Sequence, residues 1–336
     1  MSRRGHLWVV ACLVALAVRG ARAQDLSTLP PPVADRPPAY VLPPVEPIRL
    51  PDRPQPDPLL DRPEGVPPGP FVNVDLAVLA PHLRNQLRIA VPTPVGGGFD
   101  TVSFPGNPLD VTVSPRFEFG YRLPDGWGAL EAHYRFLATR GVDRADAPDE
   151  TFAVGGVFDA NILDVGYASQ EFSLGPHWDM RWEVGVRFAN IYFNSHARSA
   201  AAGPMPGDVL EQDETNRVYG IGGYAGVEVG YRLPWPGWTV FGRFEGAELV
   251  SRLRQTGTEV VLGAAGPVGS SASQDGFPGI GMLMERVGLS YEPPGWNHGR
   301  FLIGYQYETW FQVGRIEPSN GQFDAQGLFL RAEFNY

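Results

Sequence analysis

Ten segments of this 336-residue chain alternate apolar and polar residues with a period of two. This is the period of a β-strand with two different faces, because successive side chains of a strand point to opposite sides of the sheet. In PRFEFGYRL, for example, Phe117, Phe119 and Tyr121 share one face, whereas Arg116 and Glu118 share the other. On a helix these charges would spread through the apolar set. The predicted strands are 71–80, 109–123, 127–140, 157–170, 178–195, 217–233, 238–253, 279–292, 299–313 and 325–336.

The connections between these segments alternate in length along the chain. Four are short and rich in Pro, Gly and Trp: LPDGW, EFSLGPHW, LPWPGW and EPPGWNHG. Five are long and polar or flexible, at about 81–108, 141–156, 196–216, 254–278 and 314–324. Short turns at one end, long loops at the other and an even strand number are typical of a membrane barrel. The sequence therefore predicts an all-β protein, an antiparallel, up-and-down transmembrane β-barrel of ten strands. An extra hairpin around 87–104 would make it twelve.

Aromatic residues at the short turns indicate a membrane interface. Amphipathic rings of Trp and Tyr collect where hydrocarbon meets water, and barrels carry them as girdles at both interfaces. Trp residues that cap the ends of a soluble barrel are the alternative. Candidates for the girdle at the long-loop end are Tyr192, Trp310 and Phe311. The girdle predicted at the short-turn, periplasmic end consists of Tyr121, Trp127, Trp178, Tyr231, Trp238, Tyr291 and Trp296.

Both ends of the sequence fit export to an outer membrane. Residues 1–23 combine Arg3 and Arg4 with an apolar run and an A-x-A ending, which predicts a secretory signal peptide cleaved after Ala23. The last strand ends at Tyr336 with apolar residues at alternate positions, and this resembles the signal read by the barrel assembly machinery. We therefore expect the cell outer membrane as location, with its lipid and that machinery as partners. The predicted assembly signal consists of Leu328, Leu330, Phe334 and Tyr336.

A proline-rich segment separates the signal peptide from the predicted barrel. Residues 24–70 hold 16 of the 34 prolines. Proline lacks the amide donor and fixes φ, so neither a helix nor an internal strand is expected there. The domain organisation is therefore a periplasmic linker over 24–70 followed by an outer-membrane barrel over 71–336. A solvated spacer and a contact with the cell wall both fit this linker.

The charges on the polar face indicate what the barrel interior holds. Arginines and acids are nearly equal in number there, which predicts mutual pairing, because an unpaired charge in a poorly hydrated lumen is costly. Glu248 and Glu285 fall on the lipid face unless a bulge shifts the register. The long loops carry an excess of acids, so a pore would mildly favour cations at its outer mouth. The predicted lumen-lining charges are Asp75, Arg116, Glu118, Glu131, Arg135, Asp164, Arg181, Glu183, Arg187, Glu228, Arg243, Glu245, Arg286, Glu308, Arg331 and Glu333.

Composition excludes several classes of function. All 27 basic residues are Arg, so chemistry that needs a lysine is absent, and the only cysteine, Cys12, lies in the predicted signal peptide. The six histidines show no metal-ligand spacing; His133 beside Glu131 lies deep, and His196 has no adjacent acid. The mature net charge, (27 − 4) − 37 = −14, disfavours nucleic acid. No enzyme activity, cofactor or metal is predicted, and an outer-membrane hydrolase is a distant alternative.

Patterned glycines and aromatics recur in VSPRFEFGYRLPDGW, FDANILDVGYASQEFSLGPHWDMRWEVGVRFANI, GYAGVEVGYRL, and ERVGLSYEPPGW followed by FLIGYQYETW. This succession resembles a bacterial family of pore-forming outer-membrane proteins named after the Legionella major outer membrane protein. The likeness covers most of 71–336 and none of the proline-rich segment. It implies a pore-forming barrel of a Gram-negative-type cell and supplies no catalytic or cofactor residues. Ten strands around many charges predict a narrow porin-like channel for small solutes or ions. The alternative is a closed structural or surface-contact, adhesin-like barrel.

Overall fold

A computed structural model describes residues 68–92, 99–104, 109–147, 150–199, 209–264, 266–294, 299–314 and 320–336. The predicted signal peptide and almost all of the proline-rich segment lie outside these residues, so both stay predictions. Within the described ranges, no helix has the length and apolar character that a membrane crossing requires. The one helical element described is a single 3₁₀ turn, Pro124–Gly126, in the LPDGW connection.

The described chain is otherwise built from β-strands, as the period-two alternation predicts. The strands are β1 (Gly69–Pro92), β2 (Phe99–Phe104), β3 (Thr112–Arg122), β4 (Ala129–Ala147), β5 (Glu150–Ala168), β6 (Phe172–Ser173), β7 (Trp178–Ser199), β8 (Val209–Arg232), β9 (Trp238–Gly263), β10 (Gly266–Gly276), β11 (Gly279–Tyr291), β12 (Gly299–Phe311) and β13 (Asn320–Asn335).

Ten of these strands pair in a closed antiparallel ring. Around the ring the order is β1, β3, β4, β5, β7, β8, β9, β11, β12 and β13, and β13 then pairs with β1. The prediction of a ten-stranded up-and-down barrel is confirmed. The twelve-stranded alternative is wrong, because β2 pairs only with the outer end of β1 and β10 only with the outer end of β9.

The outer face of the ring is apolar. Phe119 on β3, Ile303 on β12 and Leu330 on β13 are each more than half exposed, and the outward positions beside them are also large and apolar. A continuous apolar surface around a barrel is the lipid-facing band of a membrane barrel, since soluble monomers expose only small apolar patches. The barrel is therefore a transmembrane one. Other members of the band are Val78, Phe117, Leu163, Val186, Ile221 and Val287.

Aromatic residues lie where the sequence analysis places the periplasmic girdle. The rings of Trp178 and Tyr231 lie 4.9 Å apart between centroids, and those of Trp238 and Tyr291 lie 4.8 Å apart. Each pair sits beside a short turn on adjacent strands. Trp296 lies outside the described residues. Two further predicted members are exposed at the same end, namely Tyr121 and Trp127.

The outer girdle is only partly as predicted. Phe311 faces outward, and the ring of Tyr192 lies under the guanidinium group of Arg217, 5.6 Å from its centroid. The placement of Trp310 in the girdle is wrong. Its side chain points inward and is buried, and its indole Nε1–H donates to Glu308 Oε1 at 2.5 Å. Of the predicted assembly-signal residues, Leu328, Leu330 and Phe334 share the outward face of β13, and Tyr336, directly after the strand, is exposed.

Strand pairing is continuous around Glu248 and Glu285, the two acids that the sequence places on the lipid face unless a bulge shifts the register. β11 pairs without a bulge with both β9 and β12, so Glu285 faces outward, opposite Phe244 and Tyr307. Glu248 is also on the outer face, near the upper edge of the apolar band. The open question of the sequence analysis is thereby answered, because no bulge moves either side chain into the lumen.

Several strands continue well beyond the apolar band at the long-loop end. A tilted strand needs about 9–11 residues to cross the hydrocarbon layer, whereas β7, β8 and β9 contain 22, 24 and 26 residues. The outer ends of β8 and β9 pair with each other, and β10 adds to the edge of β9. We call the paired segments 209–216, 255–263 and 266–276 the outer extension.

Candidate functional site: the barrel interior

All sixteen charged residues predicted to line the lumen point into the ring. Strand alternation requires this once the apolar positions face outward. Fourteen of the sixteen are buried, and only Arg181 and Glu228, near the short-turn end, are partly exposed. They form a charged layer that fills the barrel between the periplasmic rim and its middle.

Ion pairs in this layer cross the full width of the barrel. Arg116 on β3 lies 3.9 Å from Glu245 on β9, and these two strands are five positions apart in a ring of ten. Arg135 on β4 donates to Glu308 on β12 at 2.5 Å, across four positions. These contacts join opposite walls of the barrel within the layer. Mutual pairing, expected from the equal numbers of charges, is therefore how the lumen is filled.

Arg187 is the most completely engaged cation of the layer. Its Nε and Nη2 donate to the two carboxylate oxygens of Asp164, both at 2.7 Å. Nη2 also donates to Glu245, and Nη1 contacts the Met282 sulfur at 3.1 Å. Arg187 is 2% exposed, so its charge is neutralised by neighbouring carboxylates and not by water. This bidentate geometry is the one that an arginine fork provides and a lysine cannot.

The sequence analysis missed several polar residues of the charged layer, among them Arg300 and Asn73. Arg300 donates through Nε to Glu333 at 2.8 Å and lies 3.5 Å from Glu228. The sequence could have indicated Arg300, because it is an even number of residues from the predicted lumen residue Glu308 on the same strand and their side chains therefore share a face. Asn73 donates to Glu118 at 2.7 Å and was overlooked because it carries no charge.

One cluster in the charged layer has the composition of a metal site. Ligand atoms of Glu118, Glu131 and His133 lie within 4.8 Å of one another, and all three side chains are buried. However, Arg116 Nη2 lies 2.5 Å from His133 Nδ1. Because arginine can only donate, Nδ1 must accept and the ring proton must sit on Nε2. His133 Nε2 lies 3.3 Å from Glu131 and 3.6 Å from Glu118 without forming a hydrogen bond. Because Arg331 and Arg181 each lie 2.9 Å from one of these two carboxylates, their charges are already balanced by arginines.

Above the charged layer the interior is apolar. The rings of Phe158 on β5 and Phe323 on β13 stack at 4.1 Å, although their strands are four positions apart in the ring, so the stack spans the lumen. Leu137, Leu253 and Ile280 surround it and are at most 2% exposed. The expectation of a polar lumen along the whole strand length is therefore wrong at this level. At this level the inward residues pack in the centre, whereas several outward neighbours, such as Asp159 and Arg254, are polar.

A polar vestibule lies at the short-turn end, below the charged layer. Its cavity measures about 340 Å³ and is lined by Arg232, Asp179, Trp235 and Glu228, among others. Arg232 donates to Asp179 at 2.5 Å. Its lining includes Arg181, Glu228 and Arg300, which belong to the charged layer.

A second polar group lies above the apolar layer, in the outer extension. Glu214 is fully buried, and Gln255 donates to its Oε1. Within the described part of the chain, Glu214 Oε2 has no hydrogen-bond partner. Burial raises the pKa of Glu214 to about 7, and hydrogen bonds from Gln255 and Asn216 only partly offset this. Glu214 lies five residues beyond Tyr219, the last apolar outward residue of β8, and so lies outside the bilayer.

The outer face also contains a histidine–acid pair. His196 Nδ1 lies 3.5 Å from Asp213 Oδ2, and both side chains are about half exposed. The statement that His196 has no adjacent acid is therefore wrong. The two residues are distant in sequence and become neighbours because β7 and β8 pair at this register.

Comparisons with known proteins show similarity in structure only. No protein-family model matches the chain, and no curated protein matches it. The outer membrane protease OmpT from Escherichia coli is similar at 8% identity and a TM-score of 0.44, over 80% of this chain and 97% of that one. The P. putida toluene transporter TodX has 9% identity, a TM-score of 0.32, and 80% and 91% coverage. Neisserial surface protein A has 12% identity, a TM-score of 0.25, and 81% and 100% coverage. The resemblance to the Legionella family stays a prediction.

Proposed function

We propose that this protein is an outer-membrane barrel that is closed to solutes and acts as an anchor for the surface formed by its outer extension. The observation that carries this proposal is the apolar layer, in which Phe158 and Phe323 stack across the lumen. Predicted export and the apolar outer band support the location. An anchoring role of this kind requires no catalytic residues.

Two barriers in series oppose the passage of an ion. The charged layer holds its arginines and carboxylates in contacts that cross the barrel, so an ion would have to displace a paired partner. The apolar layer offers an ion little compensation, because the hydroxyls of Thr139 and Ser251 within it already donate to backbone carbonyl oxygens. Transfer of an ion into such a medium costs several kcal/mol or more even after relaxation. Apolar constrictions close channels by excluding water. Both barriers favour the closed alternative over the porin-like channel.

The outer extension is the part of the closed barrel that we propose contacts other molecules. It projects beyond the apolar band on β8 and β9, and most of its exposed side chains are polar or charged, such as Asp213, although Val268 is also exposed. β10 pairs with β9 along one edge over Gly266–Gly276. A rigid sheet held at the outer surface is suited to contact with other molecules, which is the surface-contact role.

Conductance across a planar bilayer tests closure. The purified wild-type chain is expected to be silent at high protein load and high salt. Phe158→Ser combined with Phe323→Ser should introduce measurable conductance, because the layer then contains hydroxyl groups and free volume. Phe301→Ser, at a lipid-facing position that is 43% exposed, is the matched control and should stay silent. Discrete, salt-dependent conductance steps in the wild type would overturn the proposal and favour the narrow pore.

A further inference from the structure

A groove of about 510 Å³ runs along the outer face of the barrel between β4 and β8. Its apolar surface is formed by Leu163, Phe188 and Ile221, which belong to the lipid-facing band. The rings of Tyr134 and Tyr219 flank it on either side. A concave, apolar surface of this kind within the lipid-facing band is suited to an acyl chain.

Two amide side chains lie inside the groove. Asn161 on β5 and Asn190 on β7 are direct cross-strand partners. Tyr134 donates to Asn161 Oδ1 at 2.8 Å. Asn190 is exposed and makes no side-chain hydrogen bond to any residue that the structure describes. Because an amide in contact with hydrocarbon is costly without a polar partner, an occupant with ester or amide groups at this depth is favoured.

Arginines lie directly above the groove. Arg217 on β8 and Arg254 on β9 are direct cross-strand partners, and Arg252 is the partner of Tyr219, which flanks the groove. Arg217 lies over the ring of Tyr192, and Arg252 lies 3.9 Å from Asp275. Like charges placed opposite each other on a sheet are destabilising. Among the described residues, neither Arg217 nor Arg254 has an acidic partner within salt-bridge distance. An anion between them would remove this repulsion.

The balance of charge on this face favours an anion. The outward positions at this level hold Arg140, Arg217, Arg252 and Arg254 against Asp110, Asp159 and Asp275, which leaves one positive charge in excess. The order along the barrel axis is hydrocarbon groove, amides, then guanidinium groups. That is the order of acyl chain, linkage and headgroup in a phosphate-bearing lipid.

We propose that this face binds an outer-leaflet lipid whose headgroup carries a phosphate. Its chain lies in the groove, its linkage contacts Asn190, and its phosphate lies between Arg217 and Arg254, where each guanidinium can donate to it. The inference rests on the proposed membrane location and goes beyond it, since it assigns one specific annular site.

Native mass spectrometry of the full mature chain in detergent tests the site. The probes are dioleoyl phosphatidic acid, dioleoylglycerol with the same chains, and inorganic phosphate. We expect the wild type to retain one phosphatidic acid, and Arg217→Gln combined with Arg254→Gln to reduce the retained fraction at least tenfold. Arg198→Gln is the matched control on the same outer face, because Arg198 is already paired with Glu211 at 3.2 Å and lies above the groove.

Thermal unfolding supplies an independent readout. In lipid-free detergent the double variant should melt no lower than the wild type, since the like-charge pair is gone. Added phosphatidic acid should raise the Tm of the wild type and not that of the double variant. A simple folding defect would lower the Tm in both conditions.

Several outcomes would overturn the site. They are equal retention of dioleoylglycerol, equal loss of binding in Arg198→Gln, and saturation by inorganic phosphate alone. A chain that inserts into phosphatidylcholine vesicles yet retains no phosphatidic acid refutes the site and leaves the membrane barrel intact. A chain that stays soluble without detergent and does not insert refutes the proposed location itself.

Discussion

Replacing Glu214 by Gln tests how the outer extension responds to pH. The carboxyl group is fully buried, accepts from Gln255, and leaves one oxygen without a partner in the described chain. Glutamine keeps the size and the polar character of the side chain but cannot ionise. The variant therefore removes one titratable group from the outer extension without leaving a cavity.

The magnitude follows from the shifted pKa. Burial raises the pKa of Glu214 from 4.5 to about 7, so the folded extension binds this proton more tightly than the unfolded one. Between these two values the folded state holds more protons, and stability therefore falls as the pH rises from about 4.5 through 7. At 1.36 kcal/mol per pH unit, the loss is about 3 kcal/mol once the group is ionised. Below about pH 4.5 the stability at this site is fully present.

Hydrogen exchange measures this effect locally. Backbone amides of 209–216 and 253–258, corrected for the intrinsic rate, should open more readily at pH 8 than at pH 5 in the wild type. In Glu214→Gln the opening free energy should be nearly the same at both pH values. Glu211→Gln, on the exposed face of the same strand, is the control and should keep the wild-type dependence. A wild-type extension without pH dependence, or one whose dependence survives in Glu214→Gln, would refute the reasoning.

Three further changes test the packing of the barrel. Arg187→Met should lower the free energy of unfolding in urea by about 3–5 kcal/mol, because Asp164 loses its buried partner. Glu285→Leu should raise it by about 1 kcal/mol in phosphatidylcholine vesicles, because an outward carboxylate no longer faces lipid. Gly222→Ala should reduce the folded fraction on a heat-modifiability gel, since the new Cβ would lie 1.9 Å from a carbonyl oxygen of the neighbouring strand; Gly242→Ala meets nothing within 4 Å and should fold normally.

Each of these expectations has a contrary result. Unchanged stability in Arg187→Met would mean that the charged layer is hydrated. Destabilisation in Glu285→Leu would place that side chain away from lipid. Equal folding of the two glycine variants would show that β8 and β9 do not approach as closely as their register requires.

Alternation and the alternating loop lengths predicted the ten barrel strands, with twelve left open. The outer ends of several strands, such as 209–216 and 254–263, were wrongly predicted as loops. Where one face is apolar and the other charged, as at Phe117 and Glu118, the alternation of side chains along the strand assigns each one to lipid or lumen. The sixteen lumen charges point inward for this reason. The Trp-rich short turns also fix which strand ends share one rim, and Trp178 and Trp238 lie there.

Alternation fails where the apolar face turns inward. Around Phe158 and Ile162 the inward residues are apolar and the outward ones, such as Asp159 and Asn161, are polar, so the rule that assigns apolar residues to lipid and polar residues to the lumen is reversed at this level. Alternation also cannot predict which side chains meet across the lumen. The stack of Phe158 on Phe323, and the pair of Arg116 with Glu245, depend on how far each strand is shifted along its neighbours. That shift is set by the closed ring as a whole.

Thiol labelling of the apolar layer tests closure most directly. The only cysteine is Cys12, in the predicted signal peptide, so a Cys12→Ser background gives a thiol-free chain. Leu253→Cys places a thiol at a position with 0% exposure in the layer, and Arg252→Cys places one at an exposed position beside it. A water-soluble maleimide should label Arg252→Cys within minutes and leave Leu253→Cys unmodified for hours in the folded protein. Comparable labelling rates at the two positions would mean that water fills the lumen and that the barrel is open.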